Sequence, residues 1–172
     1  MVLRLIAAAL LSAVAFILWA ITSPVVNVSP AEIEAEEYTV TRVLDGDTIV
    51  VNGGAKVRYI GINTPEFYGD SENTECFAQE AKQRNEQFVL GKKVLLKRDL
   101  SETDEYGRLL RYVYLNDPMS SPYEATSINE VLVHEGYAFA RAFPPDIALQ
   151  ETLGQLEKDA EENGRGLWAV CK

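Results

Sequence analysis

The chain divides into an uninterrupted apolar block at its N-terminus and a longer part in which short apolar stretches alternate with polar turns. Residues 5–21 contain no charged side chain, and Arg4 is the only charged side chain before them. This run of seventeen residues is at the short end of what crosses a bilayer, and a positive charge on its N-terminal flank favours a cytoplasmic N-terminus. We therefore expect residues 1–23 to form a hydrophobic helix, a signal anchor or a signal peptide, with the rest of the chain extracytoplasmic.

The residues at the C-terminal end of this block indicate whether it is cleaved as a signal peptide or retained as a membrane anchor. Those before Pro24 offer a poor small-x-small cleavage site, which favours a retained membrane anchor over a cleaved peptide. A buried core helix is the alternative, but it would need polar residues on one face, and Ser12 is the only one in the run. Residues 24–37 contain two prolines and four glutamates, so we interpret them as a solvated acidic linker to a domain at 38–172.

The domain begins with segments typical of β-strands. Residues 38–44 and 48–51 are rich in β-branched side chains and flank the turn Asp45-Gly46-Asp47. A second turn precedes a predicted strand at 55–62, in which Val57 and Tyr59 share one face and Arg58 lies on the other. Two further strands are predicted, at 93–98 and 108–115.

Three helices complete the pattern. Apolar periodicity predicts them at 76–90, 127–135 and 146–163, and a glycine follows each one. Five short strands with one helix after the third and more at the end predict an α+β fold, a five-stranded OB-fold-type Greek-key β-barrel with about three helices. The pattern alone is also compatible with an open-sheet α+β fold.

Charge and composition exclude several classes of site. The formal net charge is −10, with 26 acidic and 16 basic side chains, which argues against broad electrostatic binding of nucleic acid. His134 is the only histidine and no Cys-x-x-Cys pair is present, so a zinc site, a Ser-His-Asp triad and a Cys-His dyad all lack parts. Any positive charge that contacts a nucleic acid would therefore have to be concentrated at one site.

Two cysteines, Cys76 and Cys171, both lie after the apolar block. An extracytoplasmic compartment permits a disulfide between them, which would close a loop of about 95 residues. The alternative is two unrelated thiols.

Three polar clusters carry candidate chemistry: Asp45-Gly46-Asp47-Thr48, then Arg58 with Asn63-Thr64-Pro65-Glu66, and finally Asp104-Glu105-Tyr106-Gly107-Arg108. Each alone has an ordinary explanation as a turn or a strand entry. Together they supply every part that phosphodiester hydrolysis requires.

The parts divide by chemistry. Oxygen atoms of Asp47 and Asn63, with a backbone carbonyl near Thr64, suit Ca²⁺ or Mg²⁺. Arg58 and Arg108 present forked donors suited to phosphate. The Glu66 carboxylate is able to orient water or accept its proton. The sequence thus predicts a metal-dependent phosphodiesterase that cuts nucleic acids outside the cytoplasm.

These motifs, in this order, resemble the staphylococcal nuclease, or thermonuclease-like, family over residues 38–168. The resemblance also uses the helix pattern at 129–133 and the ending Gly164-Arg165-Gly166-Leu167-Trp168. It implies a five-stranded OB-type barrel and an endonuclease that depends on one Ca²⁺ ion, cuts DNA and RNA, and leaves a 3′-phosphate and a 5′-hydroxyl. No obligate protein partner is implied, and we expect a monomer.

The resemblance also implies a role for each matched residue. Asp47, Asn63 and the Thr64 carbonyl correspond to the calcium ligands, Glu66 holds the attacking water, and Arg58 and Arg108 bind the phosphate. Asp45 is a nearby acidic turn residue, and Tyr106 falls at the position of a substrate-side tyrosine.

Three features depart from the family pattern. Asn63 stands where the archetype has aspartate, which predicts weaker or differently selective metal binding. Glu105 stands where the archetype has a lysine, and the two cysteines are not part of the archetype. The alternatives to an active nuclease are a catalytically impaired OB-fold module that binds nucleic acid or protein, and an acidic extracytoplasmic scaffold.

Overall fold

The computed structural model describes residues 35–69, 72–115 and 126–171. The predicted N-terminal hydrophobic helix at 1–23, and the predicted linker as far as residue 34, lie outside the described residues. Within the described ranges, no helix is long and apolar enough to cross a membrane.

A closed barrel forms the centre of the fold. Its strands are joined in the order β3-β2-β1-β5-β6, with antiparallel neighbours, and a parallel pairing of β3 with β6 closes the circle. Closure leaves no free edge on these five strands. The predicted five-stranded barrel is confirmed. The strands are β1 (Ala35–Asp45), β2 (Thr48–Val51), β3 (Lys56–Tyr59), β4 (Ile62–Asn63), β5 (Lys93–Lys97), β6 (Leu109–Leu115), β7 (Thr126–Ser127) and β8 (Phe139–Ala140).

The first strand is long enough to serve two partners. Residues 35–39 of β1 pair with β5, whereas residues 40–45 pair with β2. Register shifts between Val40 and Arg42, and between Val43 and Asp45, mark irregularities that bend the strand between its partners. Because β1 begins at Ala35, three residues of the predicted linker belong to this strand.

The third predicted strand, 55–62, is wrong as one continuous element. The chain turns at residues 60 and 61, so that β3 ends at Tyr59 and β4 begins at Ile62 and pairs with β8. Gly61 has φ 79°, and a Cβ there would lie 2.6 Å from Cδ1 of Leu153. Only glycine therefore fits at this turn.

The described residues contain four helices outside the barrel: α1 (Ala78–Val89), α2 (Ile128–His134), α3 (Gln150–Glu162) and α4 (Leu167–Val170). The first three correspond to the predicted helices, although α3 begins four residues later than predicted. Ser127 caps α2 by accepting a hydrogen bond from the N–H of Glu130. The short α4 was not predicted.

The core lies between the barrel interior and the inner faces of the helices. Val57 and Tyr59, which were predicted to share one face of their strand, are both buried there. Asn129 is fully buried as well, and its amide accepts from Val113 N–H and donates to the carbonyl of Ile60, which satisfies two backbone groups. The largest fully buried apolar side chains are Ile49, Ile62, Leu96, Ile128, Leu132 and Leu153.

A disulfide bond joins Cys76, just before α1, to Cys171, just after α4. The two cysteines are 95 residues apart in sequence. The bond therefore attaches the end of the chain to the start of the first helix.

We expect the double substitution Cys76→Ala/Cys171→Ala to lower the free energy of unfolding by roughly 3–5 kcal/mol, because the unfolded chain regains the entropy of an open loop. Urea unfolding of the parent and variant measures the difference. The parent in reductant should match the variant, and a difference below about 1 kcal/mol would contradict this explanation.

Candidate active site

An open pocket of about 450 Å³ lies where β3, the turn between β1 and β2, and the chain before β6 meet. Its lining includes the three predicted catalytic side chains, Arg58, Glu66 and Arg108. The other predicted site residues in the lining are Asp45, Asp47, Asn63 and Tyr106. The structure thus brings three separate sequence clusters to one cavity.

The turn between β1 and β2 fixes the position of Asp47. Gly46 packs so closely on Thr64 that a Cβ would lie 2.6–2.8 Å from three atoms of that side chain. The N–H of Thr64 donates to Oδ2 of Asp47 at 2.9 Å, and the hydroxyl of Thr48 donates to Oδ1 at 3.1 Å. The Asp-Gly-Asp turn therefore allows a close contact with the segment at Thr64, which is distant in sequence.

Arg58 extends from β3 into the pocket and is largely buried, with 12% of its side chain exposed. Nη1 forms an ion pair with Oδ2 of Asp47 at 2.9 Å, and Nη2 donates to Oδ1 of Asn63 at 3.0 Å. Two of the predicted metal ligands therefore contact one predicted phosphate-binding arginine.

A buried network beneath the pocket holds the Asp45 turn. Asn85 of α1 accepts a hydrogen bond from the Tyr59 hydroxyl at 2.9 Å and donates to the carbonyl of Asp45 at 3.3 Å. Because Asn85 is fully buried, losing either partner would leave a polar group without compensation. Sequence reasoning missed Asn85, since nothing in a helical pattern shows which polar residue faces inward.

Arg108 is oriented by Asp104, four residues earlier. The Oδ2 atom of Asp104 accepts from Nε of Arg108 at 2.6 Å, and its Oδ1 accepts from the N–H groups of Tyr106 and Arg108. The guanidinium carbon of Arg108 lies 5.5 Å from the centre of the Tyr106 ring, which is 76% exposed. Sequence reasoning singled out the cluster at 104–108 but predicted no pairing within it.

Glu66 follows the Thr64-Pro65 segment and lies at the mouth of the pocket with access to solvent. Partial desolvation and the nearby Asp45 carboxylate raise the pKa of Glu66 above its ordinary value, whereas Arg58 and Arg108 act to lower it. Both guanidinium groups are thus close enough to influence the same carboxylate.

Another part of the pocket lining comes from a region to which sequence reasoning assigned no site residue. Phe143, Pro144, Pro145 and Asp146 line it together with Ser101. Asp146 is buried, and its Oδ1 accepts from the N–H groups of Leu100 and Ser101 at 2.9 and 2.8 Å. This carboxylate joins two loops into one wall.

The pocket is acidic despite its two arginines. Its lining contains six carboxylates and two guanidinium groups. Burial raises the pKa of Asp47, and the neighbouring Asp45 carboxylate adds to the rise, although Arg58 and the N–H of Thr64 oppose it. A cation placed here would compensate the excess negative charge.

The donor atoms fit a hard cation in type. The carboxylate of Asp47, the amide oxygen of Asn63 and the carbonyl of Thr64 are the oxygen donors that Ca²⁺ and Mg²⁺ prefer. Within the described parts of the chain, no group of three or more His, Cys, Asp or Glu residues is arranged to hold a metal ion. Any ion would therefore depend on neutral oxygen atoms as well as on Asp47.

The chain is similar in sequence to known proteins. A family model described as "Staphylococcal nuclease homologue" matches residues 56–170. The chain is 34% identical to "Thermonuclease" of Staphylococcus hyicus over 137 residues, which cover 78% of this chain and 76% of the relative. It is 31% identical to "Thermonuclease" of Staphylococcus intermedius, covering 81% and 80%, and 32% identical to "Endonuclease YncB" of Bacillus subtilis (strain 168), covering 76% and 61%.

The pocket wall gives a test that depends on pH. Hydrogen bonds from Ser101 and Leu100 outweigh the effect of burial and hold the pKa of Asp146 below its ordinary value. A carboxylate whose pKa is lowered in the folded state stabilises the fold at pH values above its unfolded-state pKa of about 4. This contribution is lost as the pH falls through the folded-state pKa. We expect Asp146→Asn to lower the free energy of unfolding at pH 7 by roughly 1 kcal/mol.

The difference in the free energy of unfolding between the parent and Asp146→Asn should become smaller as the pH falls below about 4. Denaturant unfolding at several pH values measures it. Glu151→Gln, at an exposed position of α3, is the matched control and should change little. A difference that stays constant across the pH range would contradict the proposed role of the charge.

Proposed function

Because the chain belongs to the staphylococcal nuclease homologue family, we propose that it is a calcium-dependent nuclease that hydrolyses phosphodiester bonds of DNA and RNA. One observation supports this proposal above all others. Arg58, Glu66 and Arg108 come from three separate segments and line one pocket, next to the oxygen atoms of Asp47 and Asn63.

The arginines act on the phosphate. Arg58 lies on β3 and Arg108 directly precedes β6, so a phosphodiester in the pocket would receive forked donors from both side chains. Their positive charge opposes the negative charge that develops on the nonbridging oxygens in the transition state. A bound Ca²⁺ ion, held by Asp47, Asn63 and the Thr64 carbonyl, would polarise the phosphoryl group.

Glu66 acts on the water. Its carboxylate lies at the pocket mouth, where it is able to orient a water molecule toward the phosphorus and accept its proton. Attack on the side opposite the 5′ oxygen would leave a 3′-phosphate and a 5′-hydroxyl. The exposed ring of Tyr106, next to Arg108, is placed to contact the substrate.

A second candidate is a binding module with impaired catalysis. One specific observation favours it: the guanidinium of Arg58 is engaged by Asp47 and Asn63, the same two side chains that would hold the metal. If that arrangement persisted with substrate present, the pocket would bind an anion without activating water.

We further propose an extracytoplasmic location, with attachment through the N-terminal hydrophobic segment or release after its cleavage. The Cys76–Cys171 disulfide supports this location, because such bonds persist in oxidising compartments. The nucleic acid substrate is the only partner proposed, and the protein would act as a monomer.

The decisive experiment is a nuclease assay with Glu66→Gln beside the parent, on DNA and RNA, in Ca²⁺ and in chelator. We expect the parent to cleave in Ca²⁺ and the variant to lose kcat by at least about 100-fold, since only water activation is removed. Substrate binding should be retained. Parent-like turnover in the variant would exclude Glu66 as the base, and binding without cleavage by the parent would favour the module.

Position 63 tests the metal site independently of turnover. Asn63→Asp adds a formal negative charge to a neutral ligand and should tighten Ca²⁺ binding by about tenfold. Isothermal titration of Ca²⁺ into the parent and variant, without substrate, measures the change. An unchanged or weaker affinity would mean that residue 63 is not a ligand.

A further inference from the structure

The backbone of Glu66 is held from a second glutamate, Glu75, nine residues later. The N–H of Glu66 donates to Oε2 of Glu75 at 2.9 Å, and the N–H of Glu75 donates to the carbonyl of Glu66 at 3.1 Å. These two hydrogen bonds are reciprocal, and one has a charged acceptor, which makes it stronger than a neutral pair. Both polar groups of the Glu66 main chain are thereby fixed.

A second connection lies just inside this pair. The N–H of Tyr68 donates to the hydroxyl oxygen of Thr74 at 3.2 Å, and that hydroxyl donates to the carbonyl of Gly69 at 2.5 Å. The segment after Glu66 therefore returns alongside the segment that precedes Glu75.

Glu75 is itself firmly anchored. The next residue, Cys76, is bonded to Cys171, and Phe77 packs its ring on Tyr137 at 5.3 Å between centroids. The carbonyl of Glu75 accepts from the N–H of Ala78, which is fully buried at the start of α1. Three contacts in consecutive residues thus connect Glu75 to the C-terminal segment, to an aromatic neighbour and to the core.

Glu75 does not line the pocket, and its side chain is on the surface. Its influence on the reaction must therefore pass through Glu66. Arg58 and Arg108 belong to other segments and are held by other partners, so a change at Glu75 leaves the phosphate-binding groups in place.

We propose that Glu75 is a positioning residue for Glu66, and that the Cys76–Cys171 disulfide makes this positioning sensitive to reduction. The inference rests on the proposed nuclease function, because it concerns the water that Glu66 orients. Loosening the Glu66 backbone lowers the fraction of time in which its carboxylate meets that water, while the arginines continue to bind the phosphodiester.

The test compares kcat and KM for DNA cleavage in Ca²⁺ by the full chain in detergent. Glu75→Leu removes the acceptor for Glu66 N–H, and kcat should fall by between about tenfold and about 100-fold with KM within about twofold. Glu75→Gln keeps an acceptor oxygen at the same distance and should restore kcat to within about threefold of the parent. Glu80→Leu, on the exposed face of α1, is the matched control and should leave both constants unchanged.

A second substitution guards against misfolding of the leucine variant. Glu75→Asp keeps the charge but withdraws the acceptor by one methylene, so kcat should fall while the thermal midpoint stays near that of the parent. Two outcomes would overturn the positioning role. One is a fall in kcat that is accompanied by a rise in KM, and the other is an unchanged kcat in both Glu75→Leu and Glu75→Asp.

Reduction of the Cys76–Cys171 disulfide tests the redox part of the proposal. Dithiothreitol should lower kcat of the parent by about tenfold at unchanged KM, at a temperature where the reduced protein remains folded. Cys76→Ala/Cys171→Ala should have the lower kcat from the start and not respond to dithiothreitol. An unchanged kcat on reduction overturns the redox part of the inference, whereas a parent that never cleaves DNA overturns the proposed function instead.

Discussion

A buried carboxylate, Asp47, is the group on which the geometry of the pocket depends. Burying a charge is costly unless it is paired and hydrogen-bonded, and Asp47 meets both conditions through Arg58, the N–H of Thr64 and the hydroxyl of Thr48. These partners come from β3, from the segment after β4 and from β2. Satisfying one charge therefore brings three parts of the chain to one place.

A buried ion pair of this kind is weak evidence for stability, because desolvation offsets most of the attraction. Its consequence here is orientation. Arg58 is held by Asp47 and Asn63, and Arg108 is held by Asp104. Two guanidinium groups fixed before a ligand arrives need little rearrangement to meet a phosphodiester, which is the form of preorganisation that contributes most to charge stabilisation.

The sequence was informative where a short-range rule determined the outcome. Alternation in β3 predicted that Val57 and Tyr59 share one face and that Arg58 lies on the other, and glycines marked the ends of three helices. The rest depended on tertiary contacts. The break at Gly61 follows from the approach of Leu153, and the roles of Asn85 and Asp146 follow from elements distant in sequence. Local patterns carry no information on such partners. The convergence of Arg58, Glu66 and Arg108 was predicted from the combined chemistry of three clusters and from their resemblance to a known family.

The negative charge of the chain is also found in the pocket lining. A net charge of −10 repels a polyanion at long range, and six carboxylates in the pocket lining outnumber the two arginines. Under the proposed function, attraction is local and depends on a bound divalent cation, because such an ion would change the sign of the field that an approaching phosphate meets. The same carboxylates that weaken nonspecific binding would then make the approach of substrate depend on the metal ion. Under the proposed function, Asp47 and Asn63 serve two partners: they hold Arg58 in place, and their oxygen atoms would be ligands of the ion.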